Sequence, residues 1–232
     1  YKQTKQFHNY ILLKNPISKK NIHEKLSLLL LTSGSTGDPK SVRITSENIE
    51  SSTKNITKYL KLTQKNRSLS FLPFHYSYGL SVLNNAIYTR SSIFITTDTV
   101  FNKSLWEDCI SFNISEISAV PFTLEIMQRL KISDQFYENL RCLTQAGGRL
   151  EPKITKHFLE LSSSKSFSYF TMYGQTEATP RISYVPPKMG LEKLGTVGIP
   201  IDCGEVYIDK IGNKDGEGEL IYTGPNVCMG YA

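Results

Sequence analysis

The sequence predicts an α/β protein with a doubly wound, mostly parallel sheet and helices on both faces, followed by a small antiparallel β subdomain. Short apolar runs alternate with helical stretches as far as Met172, a pattern typical of parallel sheets with crossover helices. After Pro180, prolines and glycines separate short strand-like runs, which indicates a change of architecture. We therefore expect an α/β core over residues 1–180 and the start of a β-rich subdomain over 181–232.

The individual elements follow from periodicity and from the residues that end each run. Apolar or β-branched runs predict strands at 28–31, 42–44, 69–72, 92–96, 114–120, 142–145, 167–172, 205–208 and 218–222. The run at 28–31 consists of leucines and indicates a buried strand. Amphipathic spacing predicts helices at 47–60, 77–88, 105–112, 123–130 and 152–161. We expect Ser46 as the N-cap of the first helix and Pro152 in the first turn of the last. Residues 213–216 have the composition of a hairpin turn.

Composition and charge exclude several classes of protein. The chain has 232 residues, 39% of them hydrophobic, which is enough for one large core. Its net charge is +6, but the lysines are scattered and form no basic stripe among aromatics, which argues against nucleic-acid binding. No apolar run approaches the roughly 20 residues that a membrane span requires, and the N-terminus has no signal-peptide pattern.

The cysteines and the chain ends give two further expectations. The four cysteines are widely spaced without a C-x-x-C pair, which argues against a structural zinc site and predicts reduced thiols in the cytoplasm: Cys109, Cys142, Cys203 and Cys228. The chain begins with Tyr1 rather than Met and stops at Ala232 without a closing signal. We therefore expect a fragment of a longer protein.

The most informative segment is the loop over residues 32–40, which reads TSGSTGDPK. Its glycines, hydroxyl side chains and the lysine offer many donors in a small space, so the loop is predicted to hold the phosphates of a nucleotide triphosphate. The alternative is a surface turn rich in Ser, Gly and Thr. A Walker A loop is excluded because Pro39 stands where the second glycine is needed, and proline has no N–H to donate.

A second candidate segment, residues 173–177, follows a predicted strand and reads YGQTE. Tight turns at the carboxyl ends of strands are where α/β sheets present ligands. Tyr173 offers a flat face to a base, Thr176 a hydroxyl to a phosphate, and Glu177 a hard oxygen ligand to Mg²⁺. The alternative is an ordinary strand–turn–helix connection with Glu177 in solvent.

The two segments resemble the signatures of the acyl-adenylate-forming superfamily, which includes acyl-CoA synthetases, peptide-synthetase adenylation domains and luciferases. Residues 32–40 match the superfamily's phosphate loop at every defined position, although Ser41 replaces the usual following glycine, and residues 173–177 match Y-G-x-T-E. Residues 195–200 and 218–231 resemble two later segments with structural roles. The resemblance runs from about Leu28 to Tyr231.

This resemblance implies roles for individual residues. It assigns ATP-phosphate binding to Thr32, Ser33, Gly34, Ser35, Thr36, Gly37, Lys40 and Thr176. It assigns adenine binding to Tyr173, Gly174 and the glycine turn Gly147 and Gly148. Lys40, Thr176 and Glu177 would be catalytic, with Glu177 as the metal ligand.

The predicted acyl pocket departs from the superfamily's pattern. Residues 72–79 resemble P-x-x-H-x-x-G, and Gly79 fits its final position. Counted back from Gly79, the histidine position holds Tyr76, and His75 lies one residue earlier. Either His75 or Tyr76 could face the reacting carboxylate.

The resemblance implies an AMP-forming acid–thiol ligase like an acyl-CoA synthetase, with a place in fatty acid metabolism. Such an enzyme uses ATP and Mg²⁺ to convert a small carboxylic acid to an acyl-adenylate, then transfers the acyl group to a thiol such as CoA. One alternative is a carrier-protein acyl ligase that loads an acyl carrier protein, and another is a non-catalytic nucleotide-binding remnant. The superfamily's ribose-binding aspartate and its C-terminal domain are absent from these residues, so the isolated fragment is expected to be inactive or weakly active.

Overall fold

Thirteen strands and six α-helices follow one another in the part of the chain that the structure describes. The computed structural model describes residues 2–7, 10–14, 22–32, 40–210 and 217–232. The strands are β1 (Lys2–Phe7), β2 (Tyr10–Lys14), β3 (Leu26–Thr32), β4 (Lys40–Thr45), β5 (Arg67–Ser70), β6 (Ser92–Ile95), β7 (Glu116–Ala119), β8 (Cys142–Gln145), β9 (Ser168–Tyr173), β10 (Ser183–Val185), β11 (Ile199–Pro200), β12 (Glu205–Asp209) and β13 (Glu219–Thr223). The helices are α1 (Ser46–Leu60), α2 (Ser77–Thr89), α3 (Lys103–Ser111), α4 (Pro121–Arg129), α5 (Asp134–Asn139) and α6 (Pro152–Lys165), and short 3-10 helices cover Thr176–Ala178 and Pro187–Met189.

The large sheet has seven strands in the order β11-β10-β9-β8-β7-β5-β6. Strands β5 to β9 pair in parallel, whereas β10 and β11 add to the β9 edge in antiparallel pairing. The chain passes from β5 to β6 on one side and then returns to β7 on the other, so the direction of winding reverses beside β5. Ligands of α/β proteins bind at the carboxyl ends of strands near such a reversal. The parallel pairing of β5 to β9 confirms the predicted mostly parallel sheet.

Helices cover both faces of this sheet because neighbouring residues of a strand point in opposite directions. Leu143 belongs to a core cluster that includes Phe158 of α6. Cys142, one residue earlier in β8, belongs to a second cluster that includes Ile56 of α1. Burial of a side chain as large as Phe158 contributes about 1.5–3 kcal/mol, so both faces contribute to holding the sheet. The predicted doubly wound arrangement is confirmed.

Strands β3 and β4 form an antiparallel hairpin that is separate from the large sheet. The sequence predicted a buried strand at residues 28–31. The strand is present, but the prediction of full burial is wrong, because Leu29 and Leu31 are 49% and 67% exposed while Leu30 is 6% exposed. Only one face of the hairpin packs on α1 and α2, so burial alternates along it. The connecting residues 33–39 lie outside the described residues.

The carboxyl-terminal part contains the predicted small antiparallel sheet. Strand β12 pairs with β13 in a register that joins Glu205 to Thr223. The predicted hairpin turn at residues 213–216 lies outside the described residues. The boundary expected at residue 181 stays a prediction, and β10 and β11, which follow it, extend the large sheet.

The ends of two elements differ from the sequence prediction for local reasons. The N-cap of α1 is Thr45, not Ser46, because Thr45 Oγ1 accepts from the Asn48 N–H at 3.0 Å and Asn48 Oδ1 accepts from the Thr45 N–H at 2.9 Å. Helix α5 was not predicted, because its six residues are too few to show helical periodicity. Its first turn is held by the Ser133 hydroxyl, which accepts from the Gln135 N–H at 3.3 Å.

No helix among the described residues is long and apolar enough to cross a membrane.

Candidate functional site

A cavity of about 1030 Å³ opens at the carboxyl ends of β8 and β9, beside the N-terminus of α2. It brings together most of the site residues that the sequence predicted: Thr32, Lys40, Tyr76, Gly147, Gly148, Tyr173, Gly174, Thr176 and Glu177. The predicted residues Ser33, Gly34, Ser35, Thr36 and Gly37 lie outside the described residues. Both ends of the predicted phosphate loop and the turn after β9 therefore border one cavity.

The turn after β9 is tightly closed. A Cβ atom at Gly174 would overlap the carbonyl oxygen of Pro180, so only glycine fits at this position. The Ala178 N–H donates to the Gln175 carbonyl at 2.9 Å and closes the short 3-10 helix that carries Thr176. Tyr173, at the end of the strand, lines the cavity and is 37% exposed. The turn thus presents an aromatic face and a hydroxyl on one wall.

The same wall is joined to α2 by a hydroxyl pair. Ser77 Oγ lies 3.1 Å from Thr176 Oγ1, within hydrogen-bond distance. Ser77 is the first residue of α2, and the side chain of the N-cap residue Tyr76 makes no capping hydrogen bond. The N-terminus of α2, which is the positive end of the helix dipole, therefore lies on the same wall of the cavity as Thr176.

Glu177, Tyr231 and Lys40 form a row at the mouth of the cavity. The Tyr231 hydroxyl donates to Glu177 Oε1 at 2.8 Å, and this bond raises the pKa of Tyr231 above its usual range. Lys40 Nζ lies 5.0 Å from the centroid of the Tyr231 ring. The Tyr231 side chain thus contacts a cation at its ring and a carboxylate at its hydroxyl.

The carboxyl-terminal segment fixes this row by pairing with β4. The Arg43 N–H donates to the Gly230 carbonyl at 2.9 Å, and the Ala232 N–H donates to the Ser41 carbonyl at 2.8 Å. The Cys228 N–H donates to the Glu177 carbonyl at 2.8 Å. Residues 228–232 therefore connect the β3–β4 hairpin to the turn after β9.

The glycine turn after β8 places Tyr76, rather than His75, at the cavity. Gly147 has φ +85°, a conformation that favours glycine, and a Cβ there would meet the Tyr76 hydroxyl. Of the three residues predicted for the acyl pocket, Tyr76 alone lines the cavity. His75 is exposed outside it, and Gly79 is buried where a Cβ would meet the Pro73 carbonyl oxygen.

The described wall of the cavity is positively charged. Its side chains include Lys40, Arg149, Arg181 and Lys193, against the single carboxylate of Glu177. A cleft lined by one sign of charge concentrates ligands of the other sign. The cavity therefore suits an anionic ligand.

A magnesium ion would find only part of its coordination shell in these side chains. Among the described residues, no group of three or more His, Cys, Asp or Glu side chains could hold a metal ion. Mg²⁺ commonly keeps several waters and is held by one or two carboxylates together with substrate phosphates. The Glu177 carboxylate at the mouth of the cavity fits that mode of binding.

The comparison with protein families decides the relationship. The family model described as AMP-binding enzyme matches residues 2–232. The chain belongs to the AMP-binding enzyme family. This agrees with the resemblance in the two signature segments at residues 32–40 and 173–177.

Relatives within the AMP-binding family include CoA ligases. The chain is 34% identical to a 2-succinylbenzoate–CoA ligase of Bacillus velezensis, over 88% of the chain and 41% of the relative. It is 33% identical to an oxalate–CoA ligase of Saccharomyces cerevisiae, over 89% of the chain and 38% of the relative. The chain therefore spans about two fifths of the length of these relatives.

A solved structure confirms the fold class. The o-succinylbenzoate coenzyme A synthetase of Bacillus subtilis, in complex with ATP and magnesium ion, superposes with a TM-score of 0.76 at 27% identity. The match covers 93% of this chain and 46% of that one.

Asn226 supports the wall of the cavity from the protein interior, and the sequence did not identify it. Its side chain is fully buried, and Nδ2 donates to the carbonyls of Ala178 at 2.6 Å and Arg181 at 2.8 Å. Its Oδ1 accepts from the Tyr222 hydroxyl at 2.7 Å. The sequence showed only an asparagine in a proline-containing turn, and nothing local indicated its burial.

Arg181 is the second residue that the sequence analysis missed. It lines the cavity and is only 2% exposed, with Cζ lying 5.0 Å from the centroid of the Tyr78 ring. Its Nε has no hydrogen-bond partner. The sequence signal that could have identified it is a lone arginine in the strand-like run just after the YGQTE turn. A charged residue in a buried strand needs a partner, and a ligand can be that partner.

Proposed function

We propose that the protein containing this chain activates a carboxylic acid with ATP and transfers the acyl group to the thiol of CoA. The observation that carries the proposal is the single cavity bordered by Thr32, Lys40 and the turn from Tyr173 to Glu177. Its volume of about 1030 Å³ is at the upper end of the range typical of small-molecule sites, as a nucleotide together with an acid would need.

In this proposal the adenine lies between the turn after β9 and the glycine turn after β8. Tyr173 offers its exposed ring for stacking, and Gly147, Gly148 and Gly174 let the ligand approach the backbone closely. The positive φ of Gly147 and the tight contact of Gly174 with Pro180 support this arrangement, because a larger residue at either position would alter the wall.

The phosphates extend from Thr176 toward Lys40. Thr176 contacts the α-phosphate with a hydroxyl that is oriented by Ser77 at 3.1 Å. Lys40 balances charge on the β- and γ-phosphates, and residues 33–37 are proposed to cradle them through backbone N–H groups. Mg²⁺, held by Glu177, supplies further positive charge for the leaving pyrophosphate.

The first chemical step is an in-line displacement. A carboxylate oxygen of the acid forms a bond to the α-phosphorus while the bond from that phosphorus to the bridging oxygen breaks, and pyrophosphate leaves with the electron pair. The protein contributes orientation of the carboxylate, by Tyr76 and the α2 N-terminus, and charge stabilisation by Lys40. In the second step a thiolate attacks the acyl carbon, and AMP departs with the electrons of the acyl–oxygen bond.

The names of the relatives support CoA over an acyl carrier protein as the acceptor. Both curated relatives described above are CoA ligases. They are named for 2-succinylbenzoate and oxalate, so they do not support the expected place in fatty acid metabolism. The four cysteines are free, which agrees with the proposed cytoplasmic location.

The chain by itself is proposed to bind ATP but to turn over slowly or not at all. It spans 41% and 38% of the two curated relatives, so the remainder of such a protein would supply further contacts. We retain 1–180 as the nucleotide-binding core and 181–232 as the start of the β-rich part.

The test is acid-dependent release of pyrophosphate by the full-length protein, followed by thioester formation with CoA. Lys40→Ala and the exposed control Lys65→Ala should be compared in the same assay. We expect release that depends on ATP, Mg²⁺ and an acid, loss in the Lys40 variant, and no change in the control. ATP binding without release for any acid, or equal activity of the two variants, would contradict the proposal.

A further inference from the structure

We propose that Arg181 binds a second carboxylate of the substrate, so that the acid taken by this site is a dicarboxylic acid. The inference rests on the proposed function and specifies its substrate. It depends on four features of Arg181: its burial, its unpaired Nε, the neutral groups around it, and its position relative to Thr176.

The burial of Arg181 has an energetic cost that its visible contacts offset only in part. The side chain is 2% exposed, and removing a cation from water costs several kcal/mol. The contact with the Tyr78 ring, 5.0 Å from Cζ to the ring centroid, contributes on the order of 2 kcal/mol, which is less than that cost. A further favourable interaction is needed, and an anionic ligand would supply it.

No anionic side chain fills that role among the described residues. Arg181 takes part in none of the described salt bridges. Its Nε is buried without a hydrogen-bond partner, although arginine has five N–H donors arranged to hold a carboxylate. Glu177, the one carboxylate on the described cavity wall, instead accepts from Tyr231.

The groups nearest to the guanidinium are neutral at physiological pH. Burial raises the pKa of Tyr78 to about 12, and it raises the pKa of Tyr59 further, although Arg181 partly opposes both shifts. The Tyr78 hydroxyl lies 2.6 Å from Thr144 Oγ1, and the Tyr59 hydroxyl donates to Met172 Sδ at 3.0 Å. Neither phenol can therefore act as the counter-ion of Arg181.

The position of Arg181 separates it from the reacting carboxylate. Thr176, proposed to hold the α-phosphate, is hydrogen-bonded to Ser77, and the next residue of α2, Tyr78, carries the guanidinium on its ring. An acid with one carboxylate at the α-phosphate would extend its other end past Tyr76 toward Arg181. The second carboxylate would then accept a hydrogen bond from the guanidinium, whose Nε has no partner among the described residues.

The experiment uses the full-length protein and a matched set of acids. Linear dicarboxylic acids from malonate to suberate are compared with their monomethyl esters, which keep the chain but lose one charge. The readouts are kcat/KM for pyrophosphate release and, independently, the affinity of each acid measured by calorimetry. The variants are Arg181→Met, which keeps the length, Arg181→Lys, which keeps the charge, and the exposed control Arg141→Met.

The wild type should prefer the best diacid to its half-ester by about 100-fold in kcat/KM, as expected for a buried charge pair. Arg181→Met should remove this preference by lowering the diacid value about 100-fold while changing the half-ester less than about threefold. Arg181→Lys should keep part of the preference, because a point charge replaces a bidentate fork. Arg141→Met should change neither acid.

Three outcomes would overturn the inference. Equal use of diacids and half-esters by the wild type would show that no second charge is recognised. An equal loss of both substrates in Arg181→Met would place Arg181 at the reacting carboxylate. If no acid promotes pyrophosphate release, the proposed function fails, and calorimetry still decides the inference, because a diacid that binds wild type and Arg181→Met equally is not held by Arg181.

Discussion

The two ends of the cavity carry charged side chains in opposite environments. At the mouth, Lys40 is exposed and Glu177 is half-buried, and both lie beside the exposed Tyr231. At the buried part of the wall beside Tyr78, which we call the closed end, Arg181 is 2% exposed with an unpaired Nε. Exposed charges contribute little to stability, whereas an unpaired buried charge lowers it. A substitution at the mouth is therefore expected to change ligand binding with no effect on stability, whereas replacing the buried cation is expected to change ligand binding and can also raise stability.

Lys40→Ala tests the mouth and should have the largest effect. We expect the rate of pyrophosphate release to fall by about 100- to 1000-fold, because the variant loses one positive charge that stabilises the leaving pyrophosphate. The melting temperature should stay within error, since the side chain is exposed. Steady-state kinetics and thermal denaturation measure both. A drop in melting temperature as large as that of a core variant would remove the distinction between the two ends.

Asn226→Ala tests the support behind both ends. The variant removes the buried hydrogen bonds of Asn226 to the carbonyls of Ala178 and Arg181 and the acceptor of the Tyr222 hydroxyl, so the free energy of unfolding should fall by about 2–4 kcal/mol. Urea denaturation measures it. The matched control is Asn55→Ala, which removes one partly buried bond to Ser51 and should cost about 1 kcal/mol or less. Equal losses of unfolding free energy in the two variants would show that the buried Asn226 hydrogen bonds contribute no more to stability than the single bond of Asn55.

Arg181→Met tests the closed end through stability alone. Replacing an unpaired buried cation by an apolar chain should leave the unfolding free energy unchanged or raise it by up to about 2 kcal/mol, after the loss of the contact with Tyr78. Urea denaturation without ligand is the measurement. A decrease of more than about 2 kcal/mol would show that Arg181 holds the fold rather than a substrate.

Tyr231→Phe should have the smallest effect. The variant removes the hydrogen bond to Glu177 Oε1 and frees a lone pair for a metal ligand, so the apparent Mg²⁺ affinity should rise less than about threefold. The bond also raises the pKa of Tyr231, so the phenol stays protonated throughout the neutral range and the effect should not change between mildly acidic and neutral pH. A large loss of Mg²⁺ affinity would instead assign Tyr231 to the metal site.

The sequence predicted the parallel core well because its elements end at clear signals. Strand β8 has the predicted bounds, since a continuous buried run precedes the glycine turn at Gly147. Strands β10 and β11 were missed because three and two residues are too short to show alternation. The exposure of Leu29 and Leu31 was missed because a hairpin apart from the main sheet follows from tertiary contacts rather than from the local sequence.

The site was predicted where its chemistry lies in short contiguous motifs. The YGQTE turn and the ends of the loop at Thr32 and Lys40 were identified from the residues, and they border one cavity. The choice between His75 and Tyr76 depended on the start of α2, which turns Tyr76 toward Gly147. Arg181 was missed because burial and the absence of a partner are properties of the folded chain.

Calorimetric titration with ATP·Mg²⁺ and with AMP is the most direct test of the central claim, that Lys40 and the turn after β9 hold opposite ends of one nucleotide. Lys40→Ala should weaken ATP binding by at least about tenfold and leave AMP binding unchanged, because AMP lacks the phosphates near Lys40. Tyr173→Ala should weaken both ligands by similar factors, because both carry adenine. The account would be contradicted if Lys40→Ala left ATP affinity unchanged, or if Tyr173→Ala affected neither ligand.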